Sequence, residues 1–220
     1  AAQLIADSAA RAVYVYPPGA VLTLNSAGSW TVLNPNTNKN LWRIGTDPML
    51  AFIEAPQRND IPCVTTDSKG KKKINDDACL FFVAYYPVKR STVAEPANDP
   101  SWMLFEYRKG LEISELNADT PLPLSSLTGL KEVQGRILAD YITPMTGFQI
   151  VNPICRSRIT EADPPIESAS VCEDFKKLYD PFYLKTMSSA QFTLQTKVTR
   201  GGRTLETPLM TFAVTPKNLY

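Results

Sequence analysis

The chain has 220 residues at a net charge of +1, with 44% hydrophobic content, 18 prolines, four cysteines and no histidine. This is the composition of one ordinary folded domain, and near-neutrality gives no global attraction to nucleic acid or anionic lipid. Without histidine the chain lacks the usual general base, the commonest metal ligand and every Ser-His or Cys-His pair, and it has no run of 18 apolar residues that could span a membrane as a helix.

Residues 3–16 predict a helix, with Ile5, Ala9, Ala12, Val13 and Tyr16 on one face and Pro17-Pro18-Gly19 as its stop. No Ser, Thr, Asp or Asn precedes Gln3 to cap it, the pattern of a helix continued from a longer one. After the stop, residues 21–24 and 30–33 read as strands joined by the turn Asn25-Ser26-Ala27-Gly28-Ser29, followed by a short strand at 41–44. Strands are next predicted at 49–54, 79–86 and 102–108. The run Leu80 to Tyr86 is apolar on both faces, as a central strand should be. Residues 111–116 alternate like a half-exposed strand, 128–142 show a helical stripe of Leu130, Val133, Ile137 and Tyr141, and 148–151 form a short strand. A short helix is predicted at 170–179. The last signal is the clearest: residues 191–199 alternate strictly, Arg200-Gly201-Gly202-Arg203 turns, and 204–214 return as an amphipathic hairpin.

The cysteines fall into two sequence-local pairs, Cys63 with Cys79 and Cys155 with Cys172. Three connectivities are open. Local pairing would staple two polar, turn-rich loops at about 3 kcal/mol each, and any pairing would place the protein outside the cytoplasm. The competing reading is four buried thiols in a reducing compartment. Tight Cys-x-x-Cys pairs and histidine partners are missing, so no zinc site is expected.

Candidate chemistry is sparse. Lys69, Lys71, Lys72 and Lys73 form the only basic cluster and could touch a partner or a DNA backbone, but Asp67, Asp76 and Asp77 flank them and no aromatic interleaves. Glu161, Asp163, Glu167, Glu173 and Asp174 could offer oxygens to calcium, although their spacing fits no calcium loop and Pro164-Pro165 interrupts it. Glu112, Glu115 and Asp119 could supply paired carboxylates, yet on an alternating strand Glu112 points away from Glu115. No glycine-rich phosphate loop is present. Trp30, Trp42, Trp102, Phe81 and Phe82 lie within predicted strands, where core packing is the default role and a sugar- or peptide-binding stripe the alternative. No catalytic site, cofactor or metal is predicted.

The order of elements adds to this reading. The segment Gln3 to Ala12 is similar to the lower half of a pilin helix. The two late strands and the closing Thr215-Pro216-Lys217-Asn218-Leu219 are similar to the Arg-Asn-containing ending of one branch of that family, with Lys217 in place of Arg. On these residues the chain resembles type IV filament minor subunits, W-type minor pilins and the J-type minor pseudopilins of type II secretion, with the N-terminal hydrophobic helix half removed. The resemblance implies an α+β, pilin-like fold: a single periplasmic or extracellular domain over 1–220, with 1–17 the remainder of the helix packed on antiparallel sheet formed by a β-rich part over 20–220. It implies a non-enzymatic structural subunit, anchored in the inner membrane before assembly into a surface filament or periplasmic pseudopilus. Its partners would be other pilin or pseudopilin subunits, with DNA or a host surface as further candidates. The alternative from a different class is a secreted or virion-surface β-rich module binding a receptor or glycan; a carboxylate-based hydrolase ranks behind both.

Overall fold

The computed structural model describes residues 1–25, 29–54, 63–66, 72–75, 80–94, 99–111, 135–159, 166–171 and 183–216. Among them stand one α-helix, α1 (Ala2–Ala10), and fifteen strands. In chain order these are β1 (Ala12–Val15), β2 (Val21–Thr23), β3 (Leu41–Arg43), β4 (Leu50–Glu54), β5 (Cys63–Thr66), β6 (Lys72–Asn75), β7 (Leu80–Lys89), β8 (Trp102–Leu111), β9 (Arg136–Ile142), β10 (Ile150–Ile159), β11 (Ile166–Val171), β12 (Tyr183–Leu194), β13 (Lys197–Arg200), β14 (Arg203–Glu206) and β15 (Met210–Val214). Every strand pair is antiparallel.

This corrects the fold class. The chain is mostly β, not an α+β pilin-like fold with a long N-terminal helix packed on a sheet. The helix ends at Ala10, with Arg11 as its C-cap, not at Pro17. Residues 12–15 are a fully buried strand paired with β4, with Tyr14 opposite Ile53 and Val15 opposite Phe52. The sequence Val13-Tyr14-Val15-Tyr16 is β-branched and aromatic, the composition that a pleated surface buried on both sides favours. A helix would have exposed half of it. The stripe that suggested one is real only as far as Ala9, where Ile5, Ser8 and Ala9 are the buried positions of α1.

Two sheets build the body, ordered β1-β4-β7-β8-β9 and β11-β10-β12-β15. The apolar run at 80–86 does form the middle of the first sheet, between β4 and β8 and buried from Phe82 to Val88. The sheets meet where β1 approaches β12: the Thr186 hydroxyl accepts from Val15 N at 2.9 Å and donates to Val15 O at 3.0 Å. A bridge between Ile142 and Thr196 joins them again, and α1 packs on both β4 and β15. A single hydrophobic cluster runs through both, from Ile5 and Phe52 to Phe148, Phe192 and Val214.

Three other predicted elements change. Residues 29–32 are a turn of 3-10 helix, and β2 pairs instead with β3, burying Leu22 opposite Trp42. The predicted helix over 128–142 is strand β9 from Arg136 onward, with Leu104 opposite Ala139; its earlier residues lie outside those described. Near the predicted helix at 170–179, residues 166–171 are strand β11, and the remainder is not among the described residues. The late hairpin is present but bends: β12 pairs with β15 inside the second sheet, while β13 and β14 continue as a separate exposed pair turning at Gly201 and Gly202, with φ of 55° and 75°.

Candidate functional site

The most unusual chemistry lies beneath the helix. Glu54 ends the apolar strand β4 and is 0% exposed. Burying a carboxylate is costly unless donors replace its hydration. Here they come from three side chains: Arg11 Nε, just past α1, meets Oε1; Arg108 Nη1 on β8 meets Oε2 at 2.6 Å; and Ser8 Oγ on α1 donates to Oε2 at 3.0 Å. The Arg108 guanidinium also lies 4.4 Å over the Phe81 ring, whose residue is the cross-strand partner of Glu54.

A second buried carboxylate stands beside it. Glu106 is two residues before Arg108 on β8, so the strand's two-residue period puts both on one face. Tyr85 Oη donates to Glu106 Oε1 at 3.1 Å, and Arg136 Nη2 meets Oε2 at 2.6 Å. Burial, against the opposing pull of a hydrogen bond with Ser8 and reinforced by the charges of Glu106 and Glu54, pushes the Tyr85 hydroxyl well above its ordinary range and keeps it protonated. Three arginines, two glutamates, a serine and a tyrosine therefore tie α1, β4, β7, β8 and β9 together.

Two buried carboxylates invite a catalytic reading, which the geometry does not favour. All four carboxylate oxygens are engaged by donors from the protein itself. Neither glutamate lines the cleft at the β3–β4 turn or the one beside residues 24–41. A general base needs reach to a substrate proton. The cluster is a clamp.

The clamp escaped the sequence reading because its members are remote in the chain. The usable signal was Glu54 itself, a lone acid closing the run Leu50-Ala51-Phe52-Ile53, where a strand covered on both faces would have to supply it with cations.

A smaller network fixes the entrance to β8. Arg90 bonds Asp140 Oδ1 at 3.0 Å and Asp99 Oδ2 at 3.2 Å, with its guanidinium 4.6 Å over the Tyr141 ring. Burial pushes the Asp99 carboxyl up, but the Ser101 hydroxyl and amide at 2.5 and 2.9 Å and the Arg90 charge outweigh it and hold the group below the ordinary carboxylate range. A depressed folded-state pKa contributes stability that is present above the unfolded pKa and is lost as pH falls through the folded one. Acid unfolding of wild type below about pH 4 should therefore contain a component missing from Asp99→Asn. The two stability curves, by urea melts between pH 6 and 2, should converge at the acid end; parallel curves would refute this.

The candidates taken from the sequence fall as follows. Lys72 and Lys73 belong to β6, which pairs with β5 so that Thr66 faces Lys72 and Thr65 faces Lys73; Lys69 and Lys71 lie outside the described residues. The segment between Cys63 and Cys79 is thus not merely turn-rich but contains a hairpin. Cys155 is buried on β10 and has no free thiol, while its pairing, Cys79 and Cys172 lie outside the described residues. Of the acidic candidates, Glu167 is placed on β11. Glu112, Glu115, Asp119, Glu161, Asp163, Glu173 and Asp174 lie outside the described residues. Trp42, Trp102 and Phe82 are core residues, and Phe81 is partly buried against them. Trp30 lies in the 3-10 turn over residues 29–32 rather than in a strand. Among the described residues, no group of three Cys, Asp or Glu could hold a metal ion, and no helix is long and apolar enough to cross a membrane.

No protein-family model, characterised protein or solved structure matches this chain.

Proposed function

We propose that the chain is a non-catalytic structural subunit of an extracytoplasmic filament, a minor pilin or minor pseudopilin, which works through contacts with other subunits. The observation that carries this reading is the clamp on α1. A helix of nine residues has little stability of its own, and this one has no side-chain cap at its start. Yet Ser8 and Arg11 bind it to a carboxylate anchored between β1 and β7, so force applied to the helix passes directly into the larger sheet. Such coupling is what a subunit held by its N-terminal helix requires.

A second surface supports the same reading. Leu205 is 75% exposed on β14, Leu209 is exposed just before β15, and Met210 is exposed as its first residue. Large apolar side chains exposed within so short a stretch of chain suit a protein contact better than solvent. The cysteine content suits an oxidising location.

The decisive experiment deletes the gene in its source organism and scores surface filaments by electron microscopy together with secreted protein. Loss of either, restored by the intact gene but not by Leu205→Arg/Leu209→Arg, supports the proposal. Unchanged filaments and secretion in the deletion strain would overturn it.

A further inference from the structure

A cleft of about 200 Å³ opens between the β3–β4 turn and the loop from β9 to β10. It is far from the clamp in composition: among the described residues no Lys or Arg lines it, and its walls include Asn36, Thr46, Asp47 and Gln149 beside Trp102 and Met145. We propose that this cleft binds one ring of a neutral, polyhydroxylated ligand, a sugar unit of a glycan. The proposal does not depend on the filament reading.

The polar groups are largely unspent. The side-chain amide of Asn36 and the hydroxyl of Thr46 have no hydrogen-bond partner among the described residues; Asn36 uses its backbone amide, at 3.0 Å from Asn34 Oδ1. Asp47 spends Oδ2 on the Arg43 amide at 2.6 Å and leaves Oδ1 open. Gln149 spends its Nε2 on the Met145 carbonyl and leaves its Oε1 open. The cleft therefore offers two acceptors that can only receive, and two groups that can both give and receive. Several hydroxyls on one small ring meet that demand.

Other ligand classes fit less well. Asp47, with no cation beside it in the lining, repels anions. A divalent cation would want six or more oxygens, several of them charged. An apolar ligand would strand four polar groups. The volume lies below the roughly 300 Å³ at which drug-sized sites begin, so one ring fits and the rest of a chain would extend into solvent.

The walls are held in advance. On one side Asp47 N bonds Arg43 O at 2.8 Å, and on the other Gly147 N bonds Thr143 O at 2.9 Å. Met145, at the rim, has φ of +65° with its side chain 59% exposed. An unbranched but bulky residue held in left-handed backbone costs about 1–2 kcal/mol, and here no burial of its side chain offsets that. A role at the cleft mouth, where its thioether meets the C–H face of a ring, explains why it is held there.

The test is saturation-transfer NMR on the full chain with neutral hexoses and their di- and trisaccharides, alongside a hexuronate and a sulfated disaccharide. Neutral sugars should bind with millimolar Kd, and the charged ones about fivefold or more weaker. Asn36→Ala and Thr46→Ala touch no internal hydrogen bond, so each should weaken binding by about fivefold at unchanged Tm. Met145→Gly should match or exceed the wild-type Tm while binding less. Absence of any neutral-sugar signal, equal binding of the anionic probes, or a signal that survives the Asn36→Ala/Thr46→Ala double substitution would each overturn the assignment.

Discussion

Glu54→Gln should lower the free energy of unfolding by about 3 kcal/mol, the lower end of the 3–5 kcal/mol range for breaking a buried ion pair. The amide keeps the shape of the carboxylate and can still accept from Ser8, but it cannot neutralise the two guanidiniums of Arg11 and Arg108 that converge on it. The lower end applies because the arginine side chains retain 35% and 31% exposure, so each can move part of its charge into water when the carboxylate is gone. The loss is measured as a shift in urea midpoint at constant slope. A companion variant separates charge pairing from packing: Arg108→Met alone leaves Glu54 with one cation, whereas Glu54→Gln/Arg108→Met removes both ends of the Glu54–Arg108 pair. The double variant should cost less than the sum of the singles by about 1 kcal/mol or more. Additive losses, or a Glu54→Gln cost below about 1 kcal/mol, would show that the cluster does not clamp anything.

The same substitution reaches the proposed function. Loss of the clamp should free α1 first, because only Ile5, Ser8 and Ala9 are buried along it. Hydrogen exchange at residues 5–11 should then rise before that of β7 or β8. In the filament reading, a subunit with a loosened helix would fold yet fail to assemble.

How much of this could be read in advance differs by element. Strands at 49–54, 80–86 and 102–108 were legible because long apolar runs with aromatic and β-branched residues admit few alternatives once they are too short for a buried helix. The segment 12–16 was not, because Ala-Val-Tyr-Val-Tyr satisfies a helical stripe and a doubly covered strand equally well. What decides is β4, whose Ile53 and Phe52 pair with Tyr14 and Val15 from 39 and 37 residues away. Tertiary pairing overrode the local pattern in the same way at Arg136–Ile142, where β8 supplies the partner. The clamp was invisible for a related reason. Arg11, Glu54 and Arg108 become neighbours only through the strand order β1-β4-β7-β8, which no local spacing reports. The cleft is similar: its two walls come from turns that the sequence marks as loops without saying that they face each other.

Gly147→Ala should be comparably damaging, at or above the roughly 3 kcal/mol upper end for overpacking a well-fitted interior, because the atoms in the way are backbone. A Cβ at this position would stand 2.5 Å from Thr143 O, 2.6 Å from Thr143 N and 2.7 Å from Gln195 O. Those three atoms are themselves committed: Gly147 N bonds Thr143 O at 2.9 Å, Thr143 N bonds Gln195 O at 3.0 Å, and Gln195 N bonds Gly147 O at 2.9 Å. None can retreat without breaking the lacing that holds the β9–β10 loop against the end of β12. The next residue, Phe148, is fully buried with its ring 6.1 Å from that of Phe192, so a displaced Gly147 also pulls an aromatic side chain out of the second sheet's core. For a chain of this length such a loss lowers Tm by about 6–12 °C, measurable by circular dichroism. Gly202→Ala supplies the contrast, since its φ of 75° costs strain but nothing lies within 4 Å of the added carbon, and it sits in an exposed pair of strands that can fray alone. It should cost no more than about 1–2 kcal/mol and leave the main transition nearly in place. If Gly147→Ala instead melts like wild type, the loop has another conformation of equal stability. Met145 and Gln149 on that loop would then not be fixed at the cleft, and the sugar assignment would lose its preformed wall along with the stability argument.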